Sequence, residues 1–379
     1  MKTLTLLAAC AIFVAGWAIL ALAYATVPAG QTNPANPTKL AVPANQAVSA
    51  KLVGPANQAG SAYVADLSEK TGPRLKGHLR LAAPLVPQAL PLLRAGESAL
   101  FQQAGVDTSF SLWRSPEQLR ALVANGQVDA VVAALPTAAV LARRGVSCVV
   151  LAAYAAPLWL VGPSDLVRQG EHPLDTFRRL LDREILLPFG PGNMPELALR
   201  VLAAQGGQDC PLRHCGSALE AVNLLRLGRG GAALLPEPSV SLATTEGGIV
   251  RLLDLREVWA ATFPDHTDMP TACFMAVGPT AHDPALRTLL RQGFVEGMRD
   301  MEKNPQASLV AAKKYSPELS AVLERTSNDG QLFLSSSVLA GERGRKAALF
   351  MLQRLMGLNP ASVGGNLPAN DFWDMGHEE

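Results

Sequence analysis

The chain has 379 residues, more than one hydrophobic core usually serves, so two domains or lobes are expected. Charged residues make up 17% and the formal net charge is +1, which removes the basic footprint that a nucleic-acid binder needs to neutralise phosphates. Aromatics at 5% amid abundant aliphatics suit a parallel α/β sheet covered by helices better than an aromatic-rich β-sandwich.

The N-terminus reads as an export signal. Lys2 is followed by the apolar stretch TLTLLAACAIFVAGWAILALAYA, and the small residues Ala23 and Ala25 place a cut after Ala25. The stretch from Leu4 to Val27 is also long enough to span a bilayer at about 1.5 Å per residue, so residues 1–25 are either a cleaved signal peptide or a transmembrane anchor. Either way the globular part belongs on the periplasmic or other extracytoplasmic face. Leu7-Ala8-Ala9-Cys10 has the look of a lipidation box, but too little apolar core precedes Cys10 and chance in an Ala-rich segment accounts for it. Residues 26–77, rich in Pro, Ala, Gly, Asn and Gln, carry the near-repeat VPANQAV and GPANQAG; no sustained period buries a face, which marks a flexible linker.

From Gly77 the chain alternates. HLRLAAPL (78–85) reads as a strand and PQALPLLRAGESALFQQAG (87–105) as a helix broken near Pro91. A strand around Thr108–Trp113, a helix over PEQLRALVANG, the strand VDAVVAAL, the helix PTAAVLARRG and the strand SCVVLAAY follow. The unit then restarts with the helix PLDTFRRLLD, the strand EILLPFG, the helix MPELALRVLAAQGG, the helix SALEAVNLLRLG and the strand AALL. The stretches 122–142 and 225–243 are one device written twice: helix end, glycine stop, apolar strand, proline turn, helix. Strands separated by helices with short turns imply right-handed crossovers.

Ligands of open α/β sheets bind beyond the carboxyl ends of strands, where helix N-termini offer unpaired N–H groups. The candidate binding turns are therefore Pro84, Leu85, Val86 and Gln88; Leu135, Pro136 and Thr137; Gly190, Gly192, Asn193 and Met194; and Glu237, Pro238 and Ser239.

The order of these features resembles the substrate-binding proteins of ABC importers in the nitrate/sulfonate/taurine and thiamine-precursor group. The carrying stretches are LRLAAPLVPQALPLL, LRALVANGQVDAVVAALPTAAVLARRG, the crossing PLWLVGPSD, LLPFGPGNMPELALRVLAAQG, ALEAVNLLRLGRGGAALLPEPSV and the tail FMLQRLMGLNPASVGGNLPANDFWD, over about residues 78–374. The strand GRGGAALL lacks an acidic residue corresponding to Asp129 of the first half, which reads as a local structural variation. The resemblance implies a two-lobed type II periplasmic-binding fold. Lobe 1 would combine 78–160 with 271–379, lobe 2 would span 161–270, and the hinge would lie at Trp159, Pro270 and Thr271. It also implies closure around a small organic or anionic solute, delivery to a membrane permease, a monomer, and no cofactor.

Several residues have a structural alternative. Glu237 either accepts a ligand hydrogen bond or caps the following helix; Asn193 and the N–H groups of Gly192 to Met194 either hold an anion or form an N-capped turn. Thr137 is a hydroxyl donor or a plain helix start, and Trp159 an aromatic wall or hinge core.

Cys148, Cys210, Cys215 and Cys273 admit three full pairings. Cys210 and Cys215 are placed to close a short loop, and Cys148 and Cys273 read as buried thiols. Neither Cys210–His214–Cys215 nor Asp265–His266–Asp268 has the further ligands a metal site needs, so no metal is expected. Gly-x-Ser-x-Gly, Walker and His-Glu-x-x-His motifs are absent, which weighs against an enzyme, including a pyrimidine-synthesis enzyme of the same fold class. A membrane-tethered sensory or adaptor protein is the remaining rival.

Overall fold

The computed structural model describes residues 77–245, 247–326 and 337–376. The segment read as signal or anchor, and all but the last residue of the linker, lie outside the described residues. Among the described residues no helix is long and apolar enough to cross a membrane.

β1 (Gly77–Pro84) leads through a 3-10 turn at Pro87–Ala89 into α1 (Leu90–Gly96) and α2 (Ala99–Ala104). The single helix expected over 87–105 is thus two. Pro91 sits in the first turn of α1, where its missing N–H costs nothing, and the break falls at 97–98, where the Ser98 hydroxyl caps α2 by accepting from Leu100 N at 3.0 Å.

β2 (Val106–Trp113), α3 (Pro116–Ala124), β3 (Ala130–Ala134), α4 (Leu135–Arg143) and β4 (Cys148–Ala155) complete the first run. The chain crosses into β5 (Leu158–Pro163), α5 (Pro173–Leu181), β6 (Ile185–Leu187), α6 (Met194–Gln205), β7 (Leu212–His214), α7 (Ala218–Arg226), β8 (Ala232–Pro236), α8 (Ser239–Thr244), β9 (Ile249–Asp254) and α9 (Leu255–Thr262). It returns through β10 (Ala272–Val277), α10 (Pro284–Lys303), α11 (Pro305–Tyr315), α12 (Pro317–Thr326), β11 (Ser337–Leu339) and α13 (Gly341–Leu358). Proline in the first two positions starts α3, α4, α5, α6, α10 and α11, the place where a helix needs no amide donor.

The strands form two sheets, in the orders β11-β4-β10-β3-β1-β2 and β7-β6-β8-β5-β9. In the first, β1 is parallel to β2 and β3, while β10 lies antiparallel between β3 and β4. β1 to β4 therefore run one way, and β10 and β11 run against them. In the second, β6, β7, β8 and β9 run together and β5 alone is reversed.

Strand alternation buries both faces of each sheet. On the first, Leu79, Leu81, Val132 and Phe274 face one core, while Ala82, Val131, Val150 and Met275 face another. On the second, Val161, Leu186, Ala233 and Leu235 face α7 and α8, and Leu160, Ile185, Leu187 and Leu234 join the same core as the second face of the first sheet. One apolar core thus runs through both sheets, filled from α13 by Ala347, Ala348, Met351, Leu352 and Leu355.

The sequence DCPLRHC, read as a loop that a disulfide might close, instead contains β7. Cys210 packs against the shared core and Cys215 against the α7–α8 core, so the strand separates them, and all four described cysteines are free. Burial pushes the Cys148 thiol up to about 12 and the Cys210 thiol up to about 11.

Candidate functional site

The turns chosen from the sequence all follow strand ends, but the two sheets furnish them differently. On the first sheet, β1 and β2 stay in register to their last pair, Pro84 opposite Trp113, and Leu85 N then donates to Trp113 O at 2.9 Å. The turn of Pro84, Leu85 and Val86 and the 3-10 turn holding Gln88 therefore stand directly beside the end of β2. Neither that 3-10 turn nor α4 has a side-chain cap or an acidic residue in its first turn. Leu135 and Pro136 are buried and Thr137 is half-buried.

Two polar atoms at this edge are buried without a hydrogen-bond partner: Trp113 Nε1 and Gln88 Oε1. Buried polar groups are nearly always satisfied, and these two stand close together, one at the end of β2 and one in the turn after β1; Arg226 Nε, Arg251 Nε and Ser308 Oγ are the other buried atoms of this kind among the described residues. Trp113 was legible only as a strand end. Applying the strand-end rule to β2 as well as β1 would have found it.

On the second sheet every helix start at the strand ends meets a carboxylate of the chain itself. At α6, Asn193 Oδ1 accepts from Glu196 N at 3.1 Å, and Glu196 Oε2 accepts from Gly192 N at 2.7 Å. Glu196 is 4% exposed, and it also accepts from Arg200 Nε at 2.6 Å and lies 3.1 Å from His214 Nε2. Burial works to raise its pKa, but these hydrogen bonds outweigh it and hold the carboxyl below the usual range. At α7, Ser217 and Glu220 repeat the box: Glu220 N donates to Ser217 Oγ at 3.1 Å and Gly216 N to Glu220 Oε2 at 2.7 Å. At α8, Glu237, 3% exposed, accepts from Ser241 N and from Arg251 Nη2, both at 3.1 Å.

Of the two roles weighed for Asn193 and Glu237, the geometry displays the cap in each case. Met194 is buried, Gly190 and Gly192 are exposed, and Pro238 and Ser239 are half-buried at the start of α8. The Arg251 guanidinium, 5.9 Å over the half-buried Trp159 ring, joins Trp159 to the Glu237 turn. Arg251 was missed by the sequence reading; a lone arginine in the apolar strand IVRLLD was its signal.

Thr271 laces the two crossings together. Its Oγ1 accepts from Ala156 N at 3.0 Å, its N donates to Tyr154 O at 3.1 Å, and its O accepts from Leu135 N, the first amide of α4, at 3.2 Å. Pro270 is buried beside it.

Asp129, singled out for its missing counterpart, clasps β1: Arg80 N and Nη2 donate to it at 2.8 Å. In the second sheet the equivalent junction is closed by backbone alone, Gly231 N donating to Glu184 O at 3.1 Å. Glycine is needed there, since a Cβ on Gly231 would stand 2.5 Å from Arg183 Cβ. A side chain has no room there, because the Arg183 side chain and Glu184 O occupy the space.

Among the described residues no group of three His, Cys, Asp or Glu side chains is arranged to hold a metal ion. His266 stacks on Phe350, and Asp268 receives Arg343. An open depression of about 450 Å³, lined by Asp165, Leu166, Arg168, Arg179, Asp182 and Arg183, lies near the start of β6, away from the strand ends. Its walls are charged, and Arg168 and Arg179 both pair with Glu171, so it is a salt-bridged surface rather than an apolar cleft.

No protein-family model and no curated protein matches the sequence. Solved structures match the fold. An ABC transporter structure from Parabacteroides distasonis aligns with a TM-score of 0.59 at 16% identity, over 78% of this chain and 98% of that one. The periplasmic aliphatic sulphonate binding protein SsuA from Escherichia coli aligns at 0.56 and 13% identity, over 81% and 94%. The periplasmic nitrate-binding protein NrtA from Synechocystis PCC 6803 aligns at 0.51 and 15% identity, over 74% and 81%. At these identities the likeness is one of architecture, and the chain has the type II periplasmic-binding-protein fold.

Proposed function

We propose that the protein is the extracytoplasmic solute-binding component of an ABC importer. Residues 78–160 with 271–379 would form one lobe and 161–270 the other. The lobes would close around a small organic or anionic solute and present it to a membrane permease, with no chemistry performed on it. The protein would act as a monomer on the periplasmic or extracytoplasmic face, exported by its N-terminal segment. The fold shared with sulphonate- and nitrate-binding proteins supports this reading.

The observation that carries it is the pair of orphaned atoms at one strand-end edge, Trp113 Nε1 and Gln88 Oε1. A solute seated there would satisfy the indole N–H with an oxygen and meet the Gln88 amide with a polar group. With Leu135 N already bonded to Thr271 O and Pro136 lacking an N–H, the Thr137 hydroxyl would be the further donor at the start of α4. The second edge offers no such welcome to an anion, because Glu196, Glu220 and Glu237 already occupy its helix starts. An anionic head group would therefore be held by the first sheet, and the part of the solute facing the second would be neutral or carry hydrogen-bond donors.

The test is a thermal-shift screen of the full chain against methanesulfonate, taurine, nitrate, bicarbonate, benzoate and a pyrimidine, alongside Trp113→Phe. A solute that binds only the folded state must raise the melting temperature. The expected result is one or more such solutes, with the shift lost in Trp113→Phe. A flat screen with refolded protein, or an undiminished shift in the variant, overturns the assignment of the site.

A further inference from the structure

The two sheets are joined by more than the two chain crossings. Helix α13 follows β11 on the first sheet and packs on β4, yet it also lies against α6 of the second. Its Phe350 ring stacks on His266 at 3.8 Å between centroids and 11° between planes. The same ring meets Phe263 edge-on at 5.2 Å and Trp259 at 6.0 Å, with the Arg354 guanidinium 5.1 Å over it. Trp259 is fully buried in α9, and its Nε1 donates to His266 O at 2.7 Å, so the loop carrying His266 is tied to the helix beneath it. About two turns before Phe350, Arg343 grips Asp268 with both arms, Nε to Oδ2 at 2.7 Å and Nη2 to Oδ1 at 2.8 Å. Helix α9 packs on β5, α5 and α6, all of the second sheet.

We propose that α13 is a strap that sets the angle between the two sheets, with Phe350 and the Arg343–Asp268 fork as its fastenings. Rotation about the crossings requires α13 to slide over α6 and α9. Apolar side chains tolerate sliding because their attraction is non-directional, whereas a stacked ring and a two-point guanidinium fork hold one geometry. Space for the slide exists: a crevice of about 270 Å³ separates the C-terminal ends of the two helices, lined by Val201, Ala204, Gln205, Gln353, Arg354 and Leu358 among others. The strap then has a fastened and an unfastened position, and the free energy between them is drawn from whatever drives the sheets together.

The test reads the angle directly and uses no solute, so it stands or falls apart from the receptor reading. Spin labels are placed on the full chain at Gln118→Cys in α3 and Arg229→Cys beside α7, both exposed, in a Cys10→Ser, Cys210→Ser background whose three remaining native thiols, Cys148, Cys215 and Cys273, are buried. The distance distribution is measured by pulsed electron resonance. The expected result is one narrow peak in the otherwise unaltered protein, and a broadened distribution or a second peak in Phe350→Ala and in Arg343→Gln. Arg343 is 67% exposed in its side chain, so its variant keeps the core intact and serves if Phe350→Ala does not fold. Distributions unchanged in a folded variant, as judged by circular dichroism, overturn the proposal.

Discussion

The strand-end edges of the two sheets start from the same strand–turn–helix unit and differ at the helix starts after β1 and β3. Along the second, Asn193 with Glu196, Ser217 with Glu220, and Glu237 close α6, α7 and α8 with the chain's own oxygens. Along the first, α3 is capped by Ser115 and carries Glu117 in its first turn, but the 3-10 turn after β1 and the start of α4 carry no side-chain cap and no acid, and Trp113 Nε1 beside them is buried without a partner. A helix start that is already satisfied adds stability and does not recruit; one that is left open costs stability and does. The second edge is thus built as a wall and the first as a seat.

Breaking the wall should have the largest effect. Glu237 and Arg251 have side chains only 4% and 16% exposed, so Glu237→Ala, which takes the carboxylate from Ser241 N and from Arg251 and leaves the guanidinium its bond to Ser241 Oγ, should cost about 3 kcal/mol in urea unfolding. At the seat, Thr137→Ala removes no capping bond and should stay within about 0.5 kcal/mol. Equal losses at the two positions would erase the distinction.

Next comes the junction where backbone replaces an acid. Gly231→Ala forces a methyl against Arg183 Cβ and Glu184 O and should cost about 1–3 kcal/mol, measured in the same way.

Acid separates the edges further. The Glu196 carboxyl titrates lower folded than unfolded, so its contribution is complete above the unfolded carboxylate value and is lost as pH falls through the folded one. Glu171, held at about 2 chiefly by hydrogen bonds from Arg179, follows the same sign between its ordinary value near 4.5 and about 2. Stability should decline as pH falls below the ordinary carboxylate range, and Glu196→Gln should flatten that decline. An acid limb identical in the variant would show that the Glu196 cluster does not act as a wall.

A small effect is also expected at Trp113. Trp113→Phe discards a donor that has no partner, so unfolding stability should change by less than about 1 kcal/mol, in either direction, although the same variant loses solute.

Much of this contrast was legible before any coordinates. Asn193-Met-Pro-Glu196 and Ser217-Ala-Leu-Glu220 are local capping boxes, and proline at the helix starts and glycine after the helix ends fixed most elements to within a few residues. What could not be read depends on neighbours distant in sequence. β7 is three residues long and is a strand only because Leu187 O accepts from Cys215 N and β6 lies alongside. Arg251 reaches Glu237 only through the pairing of β5 with both β8 and β9. The orphaned state of Trp113 Nε1 follows from packing, which no periodicity encodes.

The position of β10 has a consequence for the order of assembly. Residues 158–254 supply every strand of the second sheet in one continuous stretch, so that sheet can form as the chain is made. In the first sheet β3 and β4 never touch each other. β3 pairs on one side with β1, but its other edge, and β4, wait for β10, which arrives only after the whole of the second sheet has been synthesised. Until then two apolar strands present bare edges, a template for pairing with other chains. The first sheet therefore closes late and through distant contacts, and in pulse-labelled hydrogen exchange β4, whose partners are β10 and β11, should gain protection after β6 and β8.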